Sequence, residues 1–380
     1  MNKTLTWVIV IVIVIVGGYY LFFNKKEEVL GEPIKIGGVY ILSGPVAAYG
    51  EIQMHASQMA IDEINASGGI NGRPLELVVE DSAYDPKQAV SAYENLKLKG
   101  IKFFMADGSP ILGAIHPKIV EDGNFNIAQG SVLPSYRDGK KYTCRIAITA
   151  EVFGPAMADF LTDQLKARKV SFLVSNNDYG RSMESETSRV FIKNGGQVLA
   201  SEYFGTSDGD FRTQITKLKA KQDETDALFI INPANTIEPL LKQLGELGWK
   251  KPIISDLWTV RNPQLKEIAL AEGIYLADYE YNPDDGGADS AKAREFKEKY
   301  RSKFPEKPAY LAAAVYDSIK ILAEAFRARG TDSIEAVSDY ITKIKNFEGV
   351  TGTLSFTDDC EVTRNVVFRR VSEGKIVDLR

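Results

Sequence analysis

The feature that most constrains the fold is the alternation of apolar strands with helices, which is clearest in residues 34–90. Residues 34–42 form an apolar stretch that runs into a sharp Ser-Gly-Pro turn, and an amphipathic helical pattern follows the turn. In open α/β sheets, ligands bind at the carboxyl ends of the strands. Residues 42–50 are therefore predicted to form a ligand loop.

The same alternation continues toward the C-terminus. Further strands are predicted at residues 102–106, 125–129, 144–149, 170–175, 197–204, 227–232, 253–255 and 274–277. Helices between short apolar strands indicate parallel sheets that are covered on both faces. The last strands, at residues 353–356, 365–371 and 375–379, look like an antiparallel addition with a Ser-Glu-Gly turn. About 345 residues are too many for one hydrophobic core, so two lobes are expected.

The N-terminal run of residues 5–23 carries no charge. As a helix it would span roughly 28 Å, about the thickness of one bilayer core. It is longer than the apolar part of a cleaved signal peptide, ends in bulky residues and is not followed by a Cys, which favours an uncleaved anchor. Residues 1–24 are therefore interpreted as a membrane anchor or signal, and residues 25–33 as a tether. If the run were cleaved, the protein would be secreted or periplasmic.

Composition and motifs argue against several classes of function. A net charge of −5 gives no reason to expect a nucleic acid partner. The two histidines, His55 and His116, each lie alone in a helical pattern. The sequence contains no Gly-rich phosphate loop, metal-ligand cluster or nucleophile elbow. We therefore predict no catalytic residues, no metal and no cofactor, and a protein that is not an enzyme.

Two cysteines, Cys144 and Cys360, lie far apart in the sequence. In an extracytoplasmic protein they can form a disulfide that closes a long loop. Two independent buried thiols are the alternative. The sequence leaves both open, because it does not give the distance between the two residues.

The loops of residues 34–90 resemble those of the periplasmic leucine/isoleucine/valine-binding proteins, the type I solute-binding proteins of ABC importers. In that family the first loop reads SGP-small-small-x-YG, the helix ends in IN-x-x-GGI-x-G, and the second strand leads to D-x-x-x-DP-x-x-A. The residues in register here are Ser43, Gly44, Pro45, Tyr49, Gly50, Ile64, Asn65, Gly68, Gly69, Ile70, Gly72, Asp81, Asp85, Pro86 and Ala89. Relatives with a disulfide in the first lobe place it near Tyr84 and Ser109, and neither is Cys here.

The resemblance implies an α/β fold of two doubly wound lobes with mainly parallel sheets, joined by a three-strand hinge and preceded by the N-terminal transmembrane helix. Three crossings between lobes make both lobes discontinuous. The first lobe would comprise residues 34–149 and 278–351. The second lobe would comprise residues 150–277 and 352–380.

The resemblance also implies which loops of the first lobe bind ligand. Ser109 and Pro110 follow the third strand, where a helix start suits a carboxylate. The same pair also fits an ordinary helix cap, and without gaps Pro110 falls where relatives carry the binding Ser. Gly130 and Ser131 follow the fourth strand. Gly130 would let the backbone approach the ligand closely, and Ser131 would supply a hydroxyl. A plain turn is the alternative. Tyr49 completes this half of the site.

Three residues are the candidates from the second lobe. Tyr179 lies where the family places an aromatic ring that closes over the ligand. Asp256 lies one position from the acid that pairs with the ammonium of an amino acid, and a buried carboxylate needs such a partner. A solvated Asp in a loop is the alternative. Trp258 is a candidate pocket wall. Pro233 stands where relatives offer another Tyr, which widens the candidate ligands from amino acids to amides, short peptides or aromatic acids.

The residues and the resemblance together favour an extracytoplasmic solute-binding protein. It would capture a small amino-acid-like ligand, such as a branched-chain amino acid or a related amide, in an interlobe cleft for an ABC importer. Its partners would be the ligand, an ABC permease and the membrane, through the N-terminal helix. A receptor or sensor ectodomain that acts through a membrane partner is the alternative. A hydrolase or transferase is the third class, and no group of residues supports it.

Overall fold

The computed structural model describes residues 31–379, apart from residues 45, 134–141, 233–235, 257, 260–270, 282–289 and 332. The predicted membrane anchor of residues 1–24 lies outside the described residues, as does most of the tether. Among the residues that are described, no helix is long and apolar enough to cross a membrane.

The first sheet contains five parallel strands in the order β2-β1-β3-β4-β5. Its strands are β1 (Ile34–Tyr40), β2 (Leu75–Asp81), β3 (Phe103–Ala106), β4 (Phe125–Ala128) and β5 (Thr143–Arg145). The helices between them are α1 (Ala48–Ala66), α2 (Pro86–Leu98) and α3 (Ser109–Asp122).

Side chains of β3 alternate between two separate cores, as the period of a strand requires. Phe103 and Met105 face the core that contains side chains of α1. Phe104 and Ala106 face the core that contains side chains of α2 and α3. Both faces of the sheet are therefore covered, which explains why these strands are apolar throughout.

The second sheet contains seven strands in the order β14-β13-β10-β9-β8-β6-β7. Its strands are β6 (Lys169–Ser175), β7 (Gln197–Phe204), β8 (Ala227–Ile231), β9 (Ile253–Ser255), β10 (Tyr275–Asp278), β13 (Val367–Ser372) and β14 (Lys375–Asp378). The first five are parallel, whereas β13 and β14 add in antiparallel fashion. The β13–β14 turn at Glu373 and Gly374 has positive φ at both residues, as a two-residue hairpin turn requires.

The remaining helices cover the second sheet or return to the first. They are α4 (Ala150–Asp159), which continues as a π-helical turn over Phe160–Gln164, α5 (Asp178–Lys193), α6 (Arg212–Lys219), α7 (Ile237–Glu246), α8 (Ala291–Lys303), α9 (Tyr310–Arg329) and α10 (Ile334–Thr342). Helix α9 packs against α1 beside the first sheet. The predicted α/β architecture with mainly parallel sheets is confirmed.

Two predicted strands differ from the structure. Residues 353–356 do not join the antiparallel addition, because β12 (Gly352–Leu354) pairs only with β11 (Phe347–Gly349) in a separate ribbon. The strand predicted at residues 144–149 ends at Arg145, since the chain turns toward the start of α4 at Ala150. Apolar residues continue past the end of β5 because the turn at residues 146–149 is itself buried.

The disulfide that the sequence left open is present between Cys144 and Cys360. Their Cα atoms are 4.7 Å apart, across 216 residues of sequence. The segment around Cys360 runs beside β5, because the Arg145 N–H donates to the Cys360 carbonyl and the Val362 N–H donates to the Arg145 carbonyl. The lobe boundaries near residues 150, 277 and 351 stay predictions.

Candidate functional site

The loop after β1 is fixed by the carboxylate that ends β2. One Asp81 oxygen accepts hydrogen bonds from the N–H groups of Leu42 and Ala83, both at 2.8 Å. The other accepts the Ser43 hydroxyl at 2.6 Å. Desolvation opposes the charge of Asp81, but these hydrogen bonds outweigh it and lower the pKa of the carboxyl. The predicted ligand loop is therefore held in place before any ligand binds.

The loops after β3 and β4 meet at the start of α3. Gly108, at a φ of 92°, turns the chain into the helix, and Pro110 occupies its first turn. The buried hydroxyl of Ser109 accepts a hydrogen bond from the Val132 N–H at 3.1 Å. The hydroxyl of Ser131 lies 3.5 Å from the same oxygen. The structure thus brings Ser109, Pro110 and Ser131 together. Ser109 is not the helix cap, because Gly108 occupies that position and no side chain caps the helix.

The carboxylate of Asp107 leaves no room for a side chain at Gly130. Asp107 was not a candidate in the sequence analysis. A Cβ atom at residue 130 would lie 2.8 Å from both carboxylate oxygens of Asp107. Asp107 is 2% exposed, and the Gln53 amide nitrogen lies 3.5 Å from one of its oxygens. An acid placed directly after an apolar strand is the sequence signal that could have identified Asp107.

In the second sheet, the loops after β6 and β9 are joined by a short hydrogen bond. The Tyr179 hydroxyl donates to Asp256 at 2.6 Å, and both side chains are buried. Asn177 caps α5 by accepting the Gly180 N–H at 2.9 Å, which sets the position of Tyr179. Gly180 has no room for a side chain, because a Cβ would lie 2.1 Å from the Ser175 carbonyl oxygen.

Asp256 is a fully buried carboxyl at the carboxyl end of β9. Besides the Tyr179 hydroxyl, it accepts the N–H groups of Asn232 at 3.1 Å and Trp258 at 3.2 Å. Burial raises its pKa to about 7, although these hydrogen bonds favour the charged form. A cationic group placed beside Asp256 would therefore convert it to the carboxylate near neutral pH.

Aromatic rings connect the two sheets. The Trp258 ring, after β9, lies 4.8 Å from the Tyr49 ring, which follows β1. It also lies 6.3 Å from the Tyr179 ring in an edge-on arrangement. The carboxyl ends of the two sheets therefore face each other, and we call the region where Tyr49, Tyr84, Tyr179, Asp256 and Trp258 come together the cleft.

Tyr84 lies near charged groups that follow strands of both sheets. Burial is the main cause that raises the pKa of its hydroxyl, and the charges of Tyr49 and Asp107 from the first sheet and of Asp178 and Asp256 from the second raise it further. Tyr84 was not a candidate in the sequence analysis.

The two histidines lie in other surroundings. His55 contacts Glu306 at 2.6 Å and stacks on Phe304. His116 lies 3.0 Å from the Thr143 hydroxyl. Within the described residues, no group of three or more His, Cys, Asp and Glu side chains is arranged to hold a metal ion.

Known proteins resemble this chain over most of its length. A leucine-, isoleucine-, valine-, threonine- and alanine-binding protein of Pseudomonas aeruginosa is 26% identical over 336 residues, which cover 86% of each chain. The substrate binding protein LivJ of a branched-chain amino acid transporter from Streptococcus pneumoniae, solved with isoleucine, has a TM-score of 0.78 and 28% identity over 90% of this chain and 97% of that one. A leucine binding protein from Thermotoga maritima has a TM-score of 0.81 at 24% identity, over 91% and 98% of the chains, and shows the same fold.

The shared fold is the α/β type I periplasmic-binding fold. The family model described as periplasmic binding protein matches residues 33–375, which is most of the chain. The chain belongs to the periplasmic binding protein family.

Proposed function

We propose that this protein is an extracytoplasmic solute-binding protein that captures a small amino-acid-like ligand in the cleft and delivers it to an ABC importer. The observation that carries the proposal is the buried pair of Tyr179 and Asp256, joined at 2.6 Å beside the Tyr49–Trp258 contact. A buried acid among aromatic rings, at the carboxyl ends of two facing sheets, is suited to a ligand with an ammonium group. The names of the relatives from Pseudomonas aeruginosa and Streptococcus pneumoniae support a branched-chain amino acid, and a related amide fits the same pair of side chains.

Each candidate then has a role in binding. Asp256 receives the ammonium, and Tyr179 orients that carboxylate and covers the ligand. Trp258 and Tyr49 form apolar walls on opposite sides of the cleft. The remaining candidates, at the first sheet, provide backbone and hydroxyl groups for the other end of the ligand; they are Ser109, Pro110, Gly130 and Ser131. We expect no turnover of the ligand.

The partners and the location follow from the same proposal. Residues 1–24 would anchor the protein to the cell membrane, with the lobes on the outer side. There an ABC permease would receive the ligand. The predicted lobes, residues 34–149 with 278–351 and residues 150–277 with 352–380, would close on the ligand by hinge motion. A membrane-fractionation experiment tests the anchor, and a mature chain that begins near residue 24 would contradict it.

A thermal-shift panel of amino acids and their amides on the purified protein tests the ligand class. A ligand at about a thousand times its dissociation constant should add about 4 kcal/mol of stability. Asp256→Asn should weaken binding of the best amine ligand by about 2–5 kcal/mol, the range for breaking a buried charge pair. Asp62→Asn, on an exposed position of α1, is the matched control. If no member of the panel shifts the unfolding temperature, the proposed function is wrong for this ligand class.

A further inference from the structure

Tyr84 occupies a backbone conformation that needs explanation. Ala83 and Tyr84 have φ angles of 48° and 57°, in the left-handed region that residues with side chains rarely adopt. Such outliers persist only where the surroundings hold them, and they concentrate at binding sites. Here the Ala83 N–H is bound to Asp81, and the Asp85 N–H is bound to the Ser82 carbonyl at 2.8 Å.

The next residue, Asp85, is fixed as well. Its carboxylate caps α2 by accepting the N–H groups of Lys87 and Gln88, both at 2.9 Å. Tyr84 is therefore held between two anchored acids, Asp81 and Asp85, which leaves its backbone little freedom. The strained turn therefore fixes the position of the Tyr84 ring.

The ring covers the start of α3. A Cβ atom at Gly108 would lie 3.2 Å from Cε2 and 3.7 Å from Cδ2 of Tyr84, so the ring edge rests on the Gly108 backbone. Gly108 precedes Ser109, one of the candidate ligand contacts. Tyr84 therefore limits the room at the first-sheet end of the cleft.

The Tyr84 side chain is half-buried, and its hydroxyl makes no hydrogen bond with the residues that the structure describes. The hydroxyl oxygen is not one of the fully buried polar atoms, so it is open to a ligand as well as to water. The negative charges of Asp107 and Asp178 act on the hydroxyl. The partner that suits it is an uncharged or cationic group of a ligand.

We propose that Tyr84 is a specificity-determining residue of the cleft, whose ring closes the ligand site over Gly108 and whose hydroxyl hydrogen-bonds an uncharged end of the ligand. The carbonyl of an amide accepts this hydrogen bond without bringing a negative charge toward Asp107 and Asp178. A free carboxylate is disfavoured at the same place by like-charge repulsion. The inference rests on the proposed function and names its ligand class as α-amino amides.

Calorimetry of the full-length protein with L-leucinamide and L-leucine tests this inference. The parent should bind L-leucinamide more tightly than L-leucine. Tyr84→Phe keeps the ring and removes the hydroxyl, so its affinity for L-leucinamide should fall about tenfold. Tyr340→Phe removes a hydroxyl from partly buried α10, and its affinity should not change.

Tyr84→Ala separates a binding role from a structural one. It opens space over Gly108 at the amide end of the ligand, so the affinity for the N-methylamide of L-leucine relative to L-leucinamide should rise, which a loss of stability alone would not cause. If the parent binds L-leucinamide while Tyr84→Phe and Tyr84→Ala leave affinity and selectivity unchanged, the role of Tyr84 is refuted. Tighter binding of L-leucine than of L-leucinamide by the parent would refute the charge selection. A parent that binds neither compound nor any other amino acid contradicts the proposed function and, with it, this inference.

Discussion

At the scale of single residues, Asp256 makes the stability of the protein depend on pH. The folded protein keeps this carboxyl protonated up to about pH 7, whereas an ordinary Asp releases its proton near 3.8. The folded state therefore binds more protons than the unfolded chain between these values, and its free energy of unfolding falls as pH rises from about 4 to about 7. The slope is at most about 1.4 kcal/mol per pH unit.

Asp256→Asn should lack this component, so the difference in stability between variant and parent should change steadily across that window in urea titrations. Parallel curves for the two proteins would show that Asp256 is not the titrating group.

Gly130 gives a second prediction at this scale. Gly130→Ala places a methyl group 2.8 Å from the Asp107 oxygens, and a buried neighbour must move to admit it. Overpacking of this kind costs about 1–3 kcal/mol, measurable by denaturant unfolding. Gly209→Ala is the matched control, because nothing lies within 4 Å of its Cβ position. Equal stability of the two variants would mean that Asp107 is not fixed against residue 130.

At the scale of elements, buried carboxylates hold the segments where the chain is predicted to cross between lobes. Asp317, on α9, accepts the Val350 and Thr351 N–H groups at 2.8 and 2.9 Å and the Thr351 hydroxyl at 2.6 Å. At another crossing, Asp278 forms a buried ion pair with Arg369, which joins β10 to β13. These contacts tie each of these segments to a neighbouring element.

Removal of the Asp317 side chain tests this arrangement. Asp317→Ala leaves three buried donors without their acceptor, so the free energy of unfolding should fall by about 3 kcal/mol. Glu324→Ala on the exposed face of the same helix should change it little. Denaturant unfolding compares the two variants. A similar loss in both would assign the effect to helix α9 rather than to the crossing at Thr351.

At the scale of the whole molecule, the sequence predicted the parallel sheets because each strand is apolar along its length and is followed by a helix. The resemblance to the solute-binding family singled out Asp256, one position from the acid of the relatives, and its role in binding a ligand stays a prediction. It did not predict the pairing of Cys144 with Cys360, which depends on a distance across 216 residues. Tyr84 and Asp107 were missed for a related reason. Their roles depend on Gly108 and Gly130, whose missing side chains matter only once the loops are in contact.

The central claim is that two sheets close on one ligand. Tyr49 and Trp258 touch across the cleft at 4.8 Å, and a ligand gains contacts from both sides only in such a closed form. Tyr179→Ala removes the cover from the second sheet without altering the first. The variant should bind more weakly, mainly through faster dissociation.

Small-angle X-ray scattering of the parent, with and without the tightest ligand of the panel at saturation, tests this claim most directly. The radius of gyration should decrease when ligand binds, and the decrease should be smaller in Tyr179→Ala. An unchanged radius of gyration in the parent, together with normal binding by Tyr179→Ala, would contradict closure of two lobes around the ligand.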